Sequence, residues 1–204
     1  MTVSRIDSLA LLPNKLTYAT FGAQYVRYSD DNASTVDSDY PLAIAGRWGD
    51  LPDSFKGGFD AMATLPNGKI YVTKGDQYAR YSDKNATTVD YIAPIKGRWG
   101  DLPDSFNEGF DSMAVLPNGK IYVTKGSQYV RYSDKNASTV DYVESIEGRW
   151  GDLPDSFNEG FDAMGTLPNG SIYVIKGGQY VRYSDQNAST VDAGYPLPVE
   201  GNWG

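Results

Sequence analysis

The decapeptide GRWGDLPDSF occurs three times without change, at 46–55, 97–106 and 148–157, and a shortened GNWG stands at 201–204. The whole chain repeats around it. The four YSD tripeptides place Asp30, Asp83, Asp134 and Asp185 at intervals of 53, 51 and 51 residues, and the length of 204 is four times 51. Residues 56–106 and 107–157 agree at 40 of 51 positions. A repeat of this length is one supersecondary unit that cannot bury its own faces, so neighbouring copies must stack as a solenoid or close as a propeller.

The second copy shows what one unit contains. Phe59 to Leu65 is a short apolar run, and the PNG that follows is a turn signal because Asn and Gly accept positive φ. KIYVTK carries β-branched and aromatic residues, QYARYS alternates in period two, and ATTVDY is a weaker fourth strand. The remainder, IAPIKGRWGDLPDSF, has Gly and Pro at close intervals and reads as a connector with one helical turn. The expectation is an all-β fold, a four-bladed β-propeller forming a single domain over 1–204. Its blades fall at about 4–55, 56–106, 107–157 and 158–204. A solenoid would need atypical polar ends, whereas the first and last copies keep the internal motifs. The decapeptide is then the joint between blades. Three joints and one seam match three complete copies and a fragment, with Trp48, Trp99, Trp150 and Trp203 plugging equivalent positions.

Composition removes most function classes. There is no His and no Cys, so Ser-His-Asp and Cys-His pairs, disulfides and His-ligated zinc or iron are excluded. A net charge of −8 without a basic stripe disfavours nucleic acid and anionic lipid. Paired carboxylates would need one asymmetric cleft, but the acidic motifs recur in every copy, so the chain is read as not an enzyme. No stretch has the layout of a signal peptide or a membrane span, which leads to the expectation of a cytoplasmic protein, or one exported without a signal peptide.

The unit GFDAMATLPNGKIYVTKGDQYARYSD resembles the hemopexin repeat in its FDAM first strand, KIYVTKG second strand, QYxRY third strand and a Trp before the next unit. The likeness extends over all four copies. It implies a four-bladed propeller of hemopexin type whose first strands line a central channel. It further implies a structural calcium ion held by main-chain carbonyls near the start of those strands, at Asp7, Asp60, Asp111 and Asp162. Without His, haem carriage of the family's kind is not implied. Within the family, the near-identical copies and the Tyr, Asp and Gly content are most similar to the mushroom lectins of this fold, which implies binding of galactose-type or related sugars.

The residues themselves support repeated sugar sites, because a pyranose offers an apolar face to an aromatic ring and hydroxyls to amide, carboxylate and guanidinium groups. The joint supplies that set three times, as Arg47, Trp48 and Asp50, as Arg98, Trp99 and Asp101, and as Arg149, Trp150 and Asp152. The alternative for each Trp is a plug between blades. A second candidate is the QYxRYSD strand, where Arg27, Arg80, Arg131 and Arg182 could instead form a ladder of Arg stacked on Tyr. Four NAS or NAT sequons, at Asn32, Asn85, Asn136 and Asn187, read as turn and cap residues. The expected function is a lectin for glycans or simple sugars. The rivals are a carrier holding a polyamine-type ligand in an acidic channel and a consensus scaffold without a ligand. The sequence leaves open whether two chains pair as a homodimer.

Overall fold

The structure, a computed structural model, describes residues 3–204 and forms four antiparallel sheets of four strands each. The first blade contains β1 (Ser8–Leu11), β2 (Thr17–Phe21), β3 (Gln24–Tyr28) and β4 (Leu42–Ala43). After α1 (Asp53–Lys56), the second contains β5 (Ala61–Thr64), β6 (Ile70–Lys74), β7 (Gln77–Tyr81) and β8 (Val89–Pro94). After α2 (Asp104–Asn107) come β9 (Ser112–Val115), β10 (Ile121–Lys125), β11 (Gln128–Tyr132) and β12 (Val140–Ser145). After α3 (Asp155–Asn158) come β13 (Ala163–Thr166), β14 (Ile172–Lys176), β15 (Gln179–Tyr183) and β16 (Leu197–Pro198). In each sheet the strands lie in chain order from the axis outward.

The ring is closed. Inner strand β1 packs on β5 and equally on β13, the inner strand of the last blade, which a linear solenoid could not do. Both faces of each blade are covered by its neighbours, and Ile70, Tyr71, Val72 and Thr73 of β6 are accordingly all buried. An isolated repeat would leave half of those residues in water, which is why the four copies must fold together.

The helical turn expected in the connector is present in three copies, each time burying one Phe: Phe55, Phe106 or Phe157. The fourth strand differs from the sequence reading in two ways. In the middle blades it runs six residues, taking in IAP or VES that had been assigned to the connector. In the outer blades it shrinks to two residues, because a Pro in DYPLA and in GYPLP removes a backbone donor.

Close approach of blades explains two glycine positions. A Cβ at Gly109 would lie 2.8 Å from the Gly75 carbonyl oxygen of the preceding blade, and Gly109 has φ 137°. At the seam, a Cβ on Gly165 would lie 2.9 Å from Leu9 Cγ, so the last blade gives up a methyl group to seat the first blade's leucine.

Candidate functional site

Each Trp of the joint sits at the bottom of a groove between two blades. Trp99 is only 2% exposed and is ringed edge-to-face by Tyr71 at 5.4 Å, Tyr78 at 5.7 Å, Phe110 at 5.2 Å and Tyr132 at 6.4 Å. Trp48 has the same four neighbours in Tyr18, Tyr25, Phe59 and Tyr81. Aromatic pairs favour this edge-to-face arrangement, and it covers the indole. The expectation that Trp48, Trp99 and Trp150 offer a ring face to a sugar is therefore corrected: they are the plugs between blades, and Tyr side chains line the space above them.

The groove between the first and second blades encloses about 480 Å³ and is lined by Tyr18, Tyr25, Arg47 and Asn14 from one blade and by Lys84 and Asn85 from the next. Its counterpart between the second and third blades encloses about 340 Å³. Tyr71, Tyr78, Lys69 and Arg98 face Asn136 there. Volumes of this order are typical of small-ligand sites. The predicted sets are only partly brought together. Arg47 and Trp48 share a groove, whereas Asp50 lines a separate depression with Thr87 and Tyr91 on the outer side of the second blade. Asp101 and Asp152 are exposed, and the groove holding Arg98 and Trp99 does not include Asp101.

The asparagines at the rim are held in place by the sequon loops. Asp83 accepts the Asn85, Thr87 and Thr88 amide N–H groups at 3.0, 3.1 and 3.0 Å, around a buried Ala86 at φ 54°. This is the cap arrangement expected of NATT. It aims Asn85 across the joint, where its Oδ1 accepts from Asn14 Nδ2 at 3.1 Å. Asn14 Nδ2 also donates to Tyr18 Oη at 3.0 Å. The same link joins Asn67 to Asn136, Asn118 to Asn187 and, across the seam, Asn169 to Asn32. Among the described residues the Nδ2 groups of Asn32, Asn85, Asn136 and Asn187 have no side-chain or backbone acceptor, so each groove has a free planar amide donor at its rim.

The second candidate strand divides by face. Tyr28, Tyr81, Tyr132 and Tyr183 are fully buried. Arg80 lies over the Tyr91 ring at 4.5 Å and donates from Nε to Asp90 at 2.9 Å, while Arg131 does the same with Tyr142 and Asp141. The Arg-on-Tyr ladder is the observed arrangement, and its arginines are satisfied within their own blade. Arg47 and Arg98 are exposed and have no ion pair among the described residues. Burial, with the nearby Tyr40 phenol, pushes Tyr25 up to about 12, while the Arg47 guanidinium pulls the other way.

The channel has two unlike ends. Along the inner strands is an apolar cavity of about 280 Å³ lined by residues such as Leu9, Met62 and Met113. At the start of those strands, Asp7, Asp60, Asp111 and Asp162 surround a wider mouth together with Arg5, Lys74, Lys125 and Lys176. Every carboxylate is already engaged. Asp60 accepts from Lys74 Nζ at 2.6 Å and the Gly75 amide at 2.7 Å; Asp111 accepts from Lys125 at 2.9 Å and Gly126 at 2.7 Å. Asp162 is bound by Lys176 at 3.3 Å and Gly177 at 2.6 Å, and Asp7 by Arg5 at 2.9 Å and Gly22 at 2.6 Å. Among the described residues no three acidic groups gather as a metal-ligand set. These carboxylates do not fit a cation as direct ligands, and main-chain oxygens would have to supply the site. One Lys or Arg matches each Asp of this mouth, and Glu108 lines it as well.

Sequence reasoning missed the Tyr of the second strand and the Asn of the PNG turn as groove residues. Their signal was present in their recurrence at the same place in every copy, as Asn14, Asn67, Asn118 and Asn169 with Tyr18, Tyr71, Tyr122 and Tyr173. Both residue types have ordinary turn and strand roles that hid it.

A hemopexin family model matches residues 161–204. Human vitronectin is 32% identical over 135 residues, covering 63% of this chain and 26% of vitronectin. Human matrix metalloproteinase-25 is 29% identical over 147 residues, covering 72% of this chain and 25% of the relative. The matched region thus spans about a quarter of the length of these curated relatives. Among solved structures, a hemopexin fold protein, CP4 from cow pea, superposes with a TM-score of 0.81 at 21% identity, covering 98% of this chain and 96% of its own. A plant lectin with two metal binding sites from Cicer arietinum gives 0.80 at 19% identity, with 98% and 95% covered. A plant albumin from the same species showing hemagglutination gives 0.79 at 19%, with 96% and 93% covered. At these identities the shared property is the fold. No helix among the described residues is long and apolar enough to cross a membrane.

Proposed function

Since this chain is a four-bladed propeller of hemopexin repeats, we propose that it is a non-enzymatic carbohydrate-binding lectin whose sites are the grooves between blades. The observation that carries the reading is the repeated groove itself. A pair of tyrosines lines it, a planar amide from the next blade stands at its rim, and Arg47 or Arg98 lines it in the first two copies. That combination suits a pyranose, with hydroxyls for the amide and guanidinium and an apolar face for the tyrosines. Repetition suits weak ligands, because several sites presented together can raise avidity by about 10²–10⁴. Two relatives of the same fold are described as a lectin and as an albumin showing hemagglutination, which supports the reading.

Galactose-type sugars are the ligands proposed, on the strength of the resemblance to mushroom lectins. A calcium ion on the axis enters only as a further proposal from that resemblance, to be tested by its effect on the melt. The experiment is a glycan array with folded protein, run with calcium and again with a chelator. Binding to terminal galactose-type glycans, weakened in a Tyr71→Ala, Tyr78→Ala variant that still melts cooperatively and keeps its first groove, is the expected result. A blank array with cooperatively folded protein would overturn the lectin reading.

A further inference from the structure

The four grooves are equivalent in position but not in charge. In a protein with 26 acidic residues and a net charge of −8, the first two grooves are lined by cations and by no carboxylate. The first has Arg27, Arg47 and Lys84, and the second has Lys69, Arg80 and Arg98. Arg27 and Arg80 are paired with Asp37 and Asp90, which leaves Arg47 and Lys84 in the first groove and Lys69 and Arg98 in the second without an ion pair among the described residues.

The third groove shows what such an arginine is spaced to hold. Glu144 accepts from the Tyr129 hydroxyl at 3.0 Å, and its other oxygen lies 3.3 Å from the Arg149 guanidinium. One carboxylate therefore bridges the phenol and the guanidinium. The same two groups stand in the first groove as Tyr25 and Arg47 and in the second as Tyr78 and Arg98. The residue that pairs with the tyrosine in the register is different: Leu42 opposite Tyr25 and Ala93 opposite Tyr78, where Glu144 stands opposite Tyr129. At the seam, Leu197 pairs with Tyr180, and Asn202 replaces the arginine.

Resting on the lectin reading, we propose that the first two grooves bind sugars bearing a carboxylate, held between Tyr25 and Arg47 and between Tyr78 and Arg98. The third groove is closed by the chain's own Glu144, and the seam groove lacks the cation. A planar carboxylate can take two parallel hydrogen bonds from a guanidinium, and a cationic groove on an acidic surface concentrates an anionic ligand where the surrounding surface repels it.

The four indole N–H signals, one per groove, make the test direct. The folded protein is titrated at low ionic strength with methyl galactoside, galacturonate and galactose 6-sulfate while the signals of Trp48, Trp99, Trp150 and Trp203 are followed by NMR. Galacturonate is expected to bind at least about tenfold tighter than the neutral glycoside, as a charged hydrogen-bond partner provides, and to move the Trp48 and Trp99 signals only. Arg47→Gln should silence Trp48, Arg98→Gln should silence Trp99, and Glu144→Ala should make Trp150 respond. The tetrahedral sulfate should bind more weakly than the carboxylate. Equal affinity for galacturonate and methyl galactoside would overturn the proposal while leaving the lectin reading intact, and so would galacturonate binding unaffected by the two arginine variants. Equal binding of the sulfate would overturn the carboxylate match. Binding of none of the three by folded protein, together with a blank glycan array, would overturn both readings.

Discussion

The Tyr28 hydroxyl donates to the Trp203 carbonyl at 3.2 Å, joining residues 175 positions apart across the seam of the ring. The same bond spans the three covalent joints, from Tyr81 to Trp48 at 2.9 Å, Tyr132 to Trp99 at 2.9 Å and Tyr183 to Trp150 at 2.8 Å. The seam is thus a joint without a peptide chain through it. Each bond satisfies a buried carbonyl in the loop that holds the Trp plug.

Removing one of these hydroxyls leaves the facing carbonyl unpaired in a dry site, at a cost of about 1–3 kcal/mol. Tyr28→Phe and Tyr81→Phe should therefore lower the unfolding free energy by similar amounts, and each should drop the melting temperature by a few degrees. Chemical denaturation of both variants checks this. A loss at Tyr28 several times that at Tyr81 would show that the seam is the weak joint of the ring.

Blade two carries a correctable defect. Ser8 and Thr20, and Ser112 and Thr124, share buried hydroxyl hydrogen bonds of 2.6 Å, but Ala61 stands where the serine would be and leaves Thr73 Oγ1 buried without a partner. Ala61→Ser should restore the pair and stabilise the protein by about 0.5–1.5 kcal/mol. A neutral or destabilising result in a denaturant titration would mean that the added oxygen does not fit between the blades.

Alkaline titration should separate two classes of tyrosine. Burial, and then the charge of Asp30, Asp83, Asp134 and Asp185, raises Tyr28, Tyr81, Tyr132 and Tyr183 well above the ordinary value of 10. Because these folded values lie above the unfolded one, the stability they contribute is complete below about pH 10 and is lost as pH rises through the folded values. Tyrosinate absorbance should therefore grow in two steps, the second coinciding with loss of near-ultraviolet circular dichroism. Full ionisation of all 16 tyrosines with the fold intact is the outcome that excludes this assignment.

The acid limb has the opposite sign. Burial raises Asp30, Asp83, Asp134 and Asp185, but hydrogen bonds from the loop amides outweigh it and hold all four below the ordinary carboxylate value. Their contribution is present above the unfolded value of about 3.9 and disappears as pH falls through the folded values. The melting temperature should be flat near neutrality and fall below about pH 4. Asp134→Asn, which loses one acceptor oxygen, should lower stability at neutral pH and flatten part of that acid decline.

The sequence by itself determined the period, the short strands and the place of the joints, because these depend on local properties. Alternation in QYARYS, turn chemistry in PNG, and Gly and Pro spacing in GRWGDLPDSF act over a few residues and recur in every copy. The fourth strand was blurred because its length depends on one Pro, absent from β8 and β12 before their last residues and present near the start of β4 and β16. Only the tertiary structure decided that each Trp is covered as a plug and that tyrosines line the groove above it. Tyr71 and Tyr78 come from neighbouring strands and Asn136 from another blade, and they meet because the ring turns one blade onto the next. Neutralisation of the Asp ring was equally out of sight, since Asp60 and Lys74 face each other only once their strands pair. Glu144 is a single departure from the repeat, and its sequence position carries no sign that it would span Tyr129 and Arg149. Local patterns set which elements form, whereas a site assembled from three strands and two blades depends on distances that exist only after the ring has closed.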